Sequence, residues 1–220
     1  MIISPGRRFI FVHIPKTGGT SLALALEGKA GKDDILIGDT PKAQKRRGRV
    51  KKLMAEGRVR GRLWKHSRLA DIEGIVTPQE METFFVFTLV RNPWDRMVSY
   101  YHWLRDQTFD HPAVRLAKGV EFSAFLNDRT TRASLGHDGA AAYVSDPQGV
   151  DRCDLYLRLE HLAEDLPKLE AGIGVKLGLI DHVNRSERGA YQGYYSGQDA
   201  ALVGDVFGAD IARFGYRFEG

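Results

Sequence analysis

The sequence predicts an α/β fold in three layers, a central and mainly parallel sheet flanked by helices, and three observations carry that expectation. Two apolar runs of strand length, Phe9 to Ile14 and Phe84 to Val90, are rich in aromatic and β-branched residues and show no alternation. Strands covered on both faces read this way. Each run leads directly into a helix signal, which is the pattern of strand-to-helix units feeding a parallel sheet. Finally, 220 residues with 43% apolar side chains suffice for one good-sized core, so a single domain spanning 1–220 is expected.

The first unit reads RFIFVHIPKTGGTSLALAL, from Arg8 to Leu26. Its strand is expected to run to Ile14, where Pro15 stops it. Leu22, Leu24 and Leu26 with interleaved alanines predict a helix, with Gly19 or Thr20 near its N-cap. A strand, a glycine turn and a helix N-terminus together form an anion site, because unpaired amides and the helix dipole point at the turn. A phosphate suits it. The order is not that of a Walker A loop, which ends in Gly-Lys-Ser/Thr, since Lys16 here precedes the glycines. Lys16 would reach over the loop toward an anion held by the amides of Thr17 to Ser21. The plainer alternative is a structural turn in which Gly18 and Gly19 supply positive φ and Lys16 is merely solvated.

The second unit reads FFVFTLVRNPWDRMVSYYHWL, Phe84 to Leu104. Asn92 is a good N-cap, Pro93 an ideal first helical residue, and Asp95 favours the positive end of the helix. Arg91 then stands at the strand's C-terminal end, with Ser99 about two turns along the helix. The pair can grip a second phosphate. The alternatives are an ion pair of Arg91 with Asp95 and a helix-surface hydroxyl at Ser99. Two such junctions describe a nucleotide crevice at the edge of an open α/β sheet.

The remaining composition narrows the class. A single cysteine, Cys153, excludes an internal disulfide framework, and no Cys and His cluster has metal-ligand spacing, so no metal is expected. The stretch from Phe9 is broken by His13, Pro15 and Lys16, which argues against a signal peptide or membrane span and for a reducing, cytoplasmic setting. The net charge of +4 conceals a run from Lys42 to Lys65 that holds eleven basic residues against Glu56 alone. Such a run is a solvated, mobile insertion or an arm for a polyanion. With Trp64 its one aromatic residue, stacking on nucleic-acid bases finds little support.

IPKTGGTSL followed by LVRNPWDRMVSYYHWL resembles the sulfotransferases that use 3′-phosphoadenosine-5′-phosphosulfate (PAPS), most closely the carbohydrate-type, heparan-2-sulfotransferase-like branch. That resemblance implies a P-loop-like fold, PAPS as co-substrate and adenosine 3′,5′-bisphosphate (PAP) as product. Lys16, the amides of Thr17, Gly18, Gly19 and Thr20, and the hydroxyls of Thr20 and Ser21 would hold the 5′-phosphosulfate. Arg91 and Ser99 would hold the 3′-phosphate. CDLYLRLEHLAEDLPKL, Cys153 to Leu169, is similar to the family's strand-Arg-x-Glu-x-Leu segment, with Arg158 and Glu160 in place. HVNRSERGAYQGYYS, His182 to Ser196, is similar to its nucleotide-closing loop, in which Ser186 and Arg188 would touch phosphate.

Sulfuryl transfer needs an in-line hydroxyl, charge stabilisation and a base. Among seven histidines His66, in LWKHSRLADI, precedes a short amphipathic stretch between the two nucleotide motifs. Relatives carry a catalytic histidine in this region. With an ordinary pKa of about 6.5 it would accept a proton at neutral pH, and an exposed or capping histidine is the alternative. His13, inside the first run, reads as a core histidine, and His102 as a packing or acceptor contact. The expected acceptor bears a hydroxyl, and sugars, anionic glycans, lipids and small alcohols are all open. Two other classes compete: a P-loop-like nucleotide kinase, which would need a Walker A order and an acidic metal ligand, and a non-catalytic polyanion-binding protein.

Overall fold

The computed structural model describes residues 1–59, 63–135, 137, 139–178, 180 and 189–219. In chain order the elements are β1 (Ile2–Ser4), β2 (Phe9–Val12), α1 (Gly19–Gly28), β3 (Ile35–Leu36), α2 (Pro41–Ala55), α3 (Pro78–Thr83), β4 (Phe85–Val90), α4 (Pro93–Asp106), α5 (Pro112–Gly119), α6 (Phe122–Asn127), α7 (Arg129–Leu135), α8 (Ala140–Val144), β5 (Leu155–Arg158), α9 (Leu162–Ile173), α10 (Gly197–Val206) and α11 (Gly208–Phe214). They fall into two compact units. The first comprises residues 1–90 and 140–183, the second residues 91–139 and 184–220.

The first unit holds a five-stranded sheet in the order β3-β1-β2-β4-β5. β2 pairs in parallel with β4, from Phe9 opposite Phe85 to Val12 opposite Thr88, and β4 in parallel with β5. β1 runs antiparallel to both β2 and β3. Therefore β2, β3, β4 and β5 share one direction and the sheet is mainly parallel, as expected. Phe9, Phe11, Phe87, Leu89 and Leu157 on one face pack with Leu22, Ala23 and Leu26 of α1, Ala43 of α2, and Leu169 and Ile173 of α9. Side chains alternate along a strand, so Ile10, Val12, Val86 and Val90 face the opposite way. They too are buried. α8 lies against β4 and against the 3₁₀ turn Leu69–Ile72 in this unit. Thr88, fully buried, satisfies its hydroxyl on the carbonyl of Val12 at 2.7 Å and so ties β4 to the end of β2.

The strand expected to reach Ile14 ends at Val12. Beyond it the chain turns, and the Ile14 carbonyl accepts a hydrogen bond from the Thr17 hydroxyl at 2.9 Å rather than from a neighbouring strand. The basic run begins as an ordered helix. Thr40 caps α2 by accepting from the Ala43 amide, Pro41 occupies its first turn, and Ala43, Val50 and Leu53 form its buried stripe.

The second unit is helical, built on α4. Asn92 accepts from the Trp94 amide at 3.1 Å and Pro93 opens the helix, as the sequence predicts. Trp94, Met97, Val98, Tyr101 and Leu104 of α4 pack with residues of α5, α6, α7 and α10. The Trp94 indole donates to the Ala200 carbonyl at 2.9 Å, and Tyr195 donates to the Trp94 carbonyl at 2.8 Å.

Candidate active site

The turn between β2 and α1 is shaped by two left-handed residues, Lys16 at φ 65° and Gly18 at φ 82°. Gly18 is the N-cap of α1 and has no side chain to cap with. Two contacts account for the glycines. A β-carbon at Gly18 would lie 2.6 Å from Leu159 Cδ1, and one at Gly19 would lie 2.3 Å from Cδ2 of the His13 ring. Gly18 thus serves both φ and space, whereas Gly19 serves space alone. The Thr17 hydroxyl is committed to Ile14, so what Thr17 can offer an anion is its amide. No acidic residue lies in the first turn of α1. The Ser21 amide donates to the Gly18 carbonyl at 3.2 Å, while the amides before it have no helical carbonyl one turn back, and the positive end of the helix dipole lies there. Lys16, Thr20 and Ser21 are partly exposed around it.

Leu159 owes its position to an ion pair at the end of β5. Arg158 donates through its main-chain amide, Nε and Nη2 to the Asp165 carboxylate of α9 at 3.1 to 3.2 Å, and Lys168 adds a contact at 2.9 Å. Asp165 is nearly inaccessible, and burial opposes its charge. The hydrogen bonds from Arg158 and Lys168 prevail and bring its pKa down to about 2.

His66 sits in a tight turn. The Ser67 amide donates to the Trp64 carbonyl and the Trp64 amide to the Ser67 hydroxyl, both at 3.0 Å, and Ser67 is fully buried. The His66 ring meets His13 edge to face at 4.6 Å and Trp64 at 5.0 Å. Its Nδ1 lies 2.8 Å from the His13 carbonyl oxygen. A carbonyl can only accept, so Nδ1 carries the proton and Nε2 the lone pair. Beside it Lys65 pairs with Asp39 at 2.6 Å. Burial lowers the His66 pKa to about 4, against the smaller upward effect of the His13 carbonyl. The ordinary value assumed from sequence is thereby corrected: desolvation makes this imidazole a weaker base that stays neutral well below pH 7. Burial also pushes His13 well below its ordinary value.

The structure therefore brings Lys16, Thr17, Gly18, Gly19, Thr20, Ser21 and His66 into the first unit, with His13 touching both the glycine turn and His66. Arg91 and Ser99 belong to the second. Nε and Nη2 of Arg91 both engage Asp95 Oδ2, at 2.8 and 2.6 Å, the ion pair that was the alternative reading of this residue. Ser99 is buried on α4. His102 packs edge to face on Tyr194, with Nε2 2.9 Å from its hydroxyl. Ser186 and Arg188 lie outside the described residues. Sequence reasoning missed His13 and Leu159 as supports of the turn.

A glycine turn between a parallel strand and a helix N-terminus, on a mainly parallel sheet, is the geometry shared by phosphate-handling α/β proteins. Within that class, the sequence profile described as the sulfotransferase family matches residues 1–176, and the chain belongs to that family. Among solved structures, the mouse sulfotransferase SULT7A1 complexed with PAP is similar, with a TM-score of 0.53 at 16% identity over 96% of this chain and 86% of that one. At that identity the likeness is one of fold. No curated protein matches the chain.

The two depressed histidines make stability depend on pH. The unfolded chain takes up protons near pH 6.5 while folded His66 resists them until about 4, so stability is full above 6.5 and falls as pH drops through that window. At one pKa unit per 1.36 kcal/mol the loss from His66 alone is on the order of 3 kcal/mol. Urea unfolding across pH 4 to 7 should show this slope, and His66→Gln should reduce it to the part that His13 contributes. An unchanged slope in the variant would place the proton uptake elsewhere.

Proposed function

We propose that this protein is a PAPS-dependent sulfotransferase that transfers the sulfuryl group to a hydroxyl of a carbohydrate or other small metabolite. PAPS supplies an activated sulfuryl group on a phosphate leaving group. The observation that carries the reading is the turn from Lys16 to Ser21, with its left-handed residues and its glycines pressed on His13 and Leu159, in a chain of the sulfotransferase family.

Lys16 and the amides of Thr17, Gly18, Gly19 and Thr20, with the hydroxyls of Thr20 and Ser21, bind the 5′ end of the nucleotide. Lys16 neutralises the charge that builds on the departing phosphate oxygen as the sulfur-oxygen bond breaks. His66 accepts the acceptor's hydroxyl proton at Nε2 as that oxygen bonds to sulfur, and its Nδ1 proton, held by the His13 carbonyl, fixes the tautomer that leaves Nε2 basic. Arg91 and Ser99 bind the 3′-phosphate, with Asp95 orienting the guanidinium. Ser186 contributes a further phosphate contact. The whole chain acts as one sulfotransferase domain, in the cytoplasm.

Nucleotide preference tests the assignment. PAP should raise the melting temperature far more than AMP, and Arg91→Ala should erase most of that difference, since a charge-assisted contact is worth about 1.5 to 3 kcal/mol. Lys16→Ala should remain folded yet lose turnover by a barrier increase of roughly 3 kcal/mol or more, the scale of a lost oxyanion donor. Equal stabilisation by PAP and AMP, or Lys16→Ala activity within tenfold of wild type, would refute the reading.

For the base, the expected profile is specific. The rate should fall on the acid side through an ionisation near pH 4, the value to which burial lowers His66, because the protonated ring cannot accept. His66→Ala should cut the rate by about 10² to 10⁴ and remove that limb, with PAP affinity nearly intact. A limb near 6.5 that survives the substitution would assign the proton to another group.

A further inference from the structure

A cavity of about 300 Å³ lies in the first unit between α2 and the start of edge strand β3. Ile35, Leu36 and Val50, all buried, give it an apolar floor, and Lys32, Arg46 and Arg49 give it a cationic rim. We propose that this cavity is a second anion site, distinct from the glycine turn, which takes a small organic anion: a phosphate or sulfate monoester whose substituent sits on the apolar floor.

Three features point to that chemistry. Asp34 is the one acidic residue in the lining, and its charge is already engaged by Arg7 at 3.6 Å, by the Ser4 hydroxyl at 2.7 Å and by the Gly31 amide at 2.9 Å. Even with Arg46 also facing the Glu27 carboxylate, Lys32 and Arg49 leave the rim positive. Arg46 and Arg49 each spend one Nη on a main-chain carbonyl, of Gly31 and Asp33 respectively. Those bonds hold two planar five-donor groups in place, which lowers the entropic cost of gripping an oxyanion. The volume stands at the lower end of ligand pockets, so the ligand is small, and an apolar floor under a charged rim selects an amphipathic anion over a fully hydrated one.

The cavity is remote from the glycine turn. α1 starts at Gly19, beyond the C-terminal end of β2, and runs ten residues to Gly28, about 15 Å at helical rise. Lys32 and Asp34 follow it and precede β3, which runs in the direction of β2. The cavity thus opens at the opposite sheet edge, and an anion bound there is not the nucleotide of the proposed reaction.

The test is isothermal titration of the full chain with phenyl phosphate, compared with inorganic phosphate and with phenol. Phenyl phosphate should bind measurably, more tightly than either. Val50→Phe, which fills the floor, and Lys32→Gln, which removes an exposed rim charge, should each weaken it about tenfold, the equivalent of one lost charged contact. Lys16→Ala should remove at most the binding at the glycine turn and leave unchanged the component that the cavity variants weaken. If Val50→Phe does not fold, Lys32→Gln alone decides. No binding to the wild type, equal binding by the cavity variants, or loss of that component in Lys16→Ala would each overturn the proposal.

Discussion

The candidate site depends first on how closely the main chain of residues 16 to 19 lies against two side chains, His13 and Leu159. A β-carbon at Gly19 would enter the His13 ring, and one at Gly18 would enter Leu159. Contact at this range excludes a side chain at either glycine, and the left-handed conformation at Lys16, a strain of order 1 to 3 kcal/mol for a non-glycine residue, is held within those close surroundings. The stop at Leu159 is itself braced through Arg158 and Asp165. The sheet supplies the other stop, since His13 directly follows β2.

His13 does two things at once. Its ring bounds the glycine turn and its carbonyl fixes the His66 tautomer. Burial then keeps both imidazoles neutral over the physiological range, and the charge of the neighbouring Lys65, although paired with Asp39, acts in the same direction. The consequence is a division of labour that the local geometry favours. In the proposed reaction, positive charge for the anion would come from Lys16 and the helix end, and a neutral acceptor nitrogen from His66. A protonated histidine beside the turn would attract an anion but could not take a proton.

Local rules made some of this legible and long-range contacts hid the rest. The two apolar runs, the Asn92-Pro93 helix start and the glycine turn could be read because each depends on residues within one turn or one strand. The end of β2 at Val12 could not, because it follows from the pairing with Thr88, 76 positions away. His13 read as a core histidine and is indeed buried. Its role as a prop appears only once Gly19 is folded against it. Likewise the depressed His66 pKa comes from burial, which no window of sequence around Lys65 and Ser67 discloses. Composition gave the charge of the run after Pro41, but Lys42, Arg46 and Arg49 find their partners in carbonyls brought near by folding.

Those partners give the basic helix a structural part in the first unit. Lys42 donates to the Glu27 carbonyl and Arg46 to the Gly31 carbonyl, at and just beyond the C-terminal end of α1, where cations complement the helix dipole. Thr40, the cap of α2, also donates to the buried Glu27 carboxylate. Desolvation raises the Glu27 pKa despite that bond, so α2 supplies both a hydroxyl and nearby positive charge to a group that would otherwise be costly to bury. α1 is thus held at its N-terminus by His13 and Leu159 and at its C-terminus by α2. A helix fixed at both ends presents its first-turn amides in one orientation, and donors that need not reorganise stabilise developing charge more effectively than donors that must. In the proposed function the basic run would therefore support anion binding at the turn through the fixing of α1, at a distance of a whole helix.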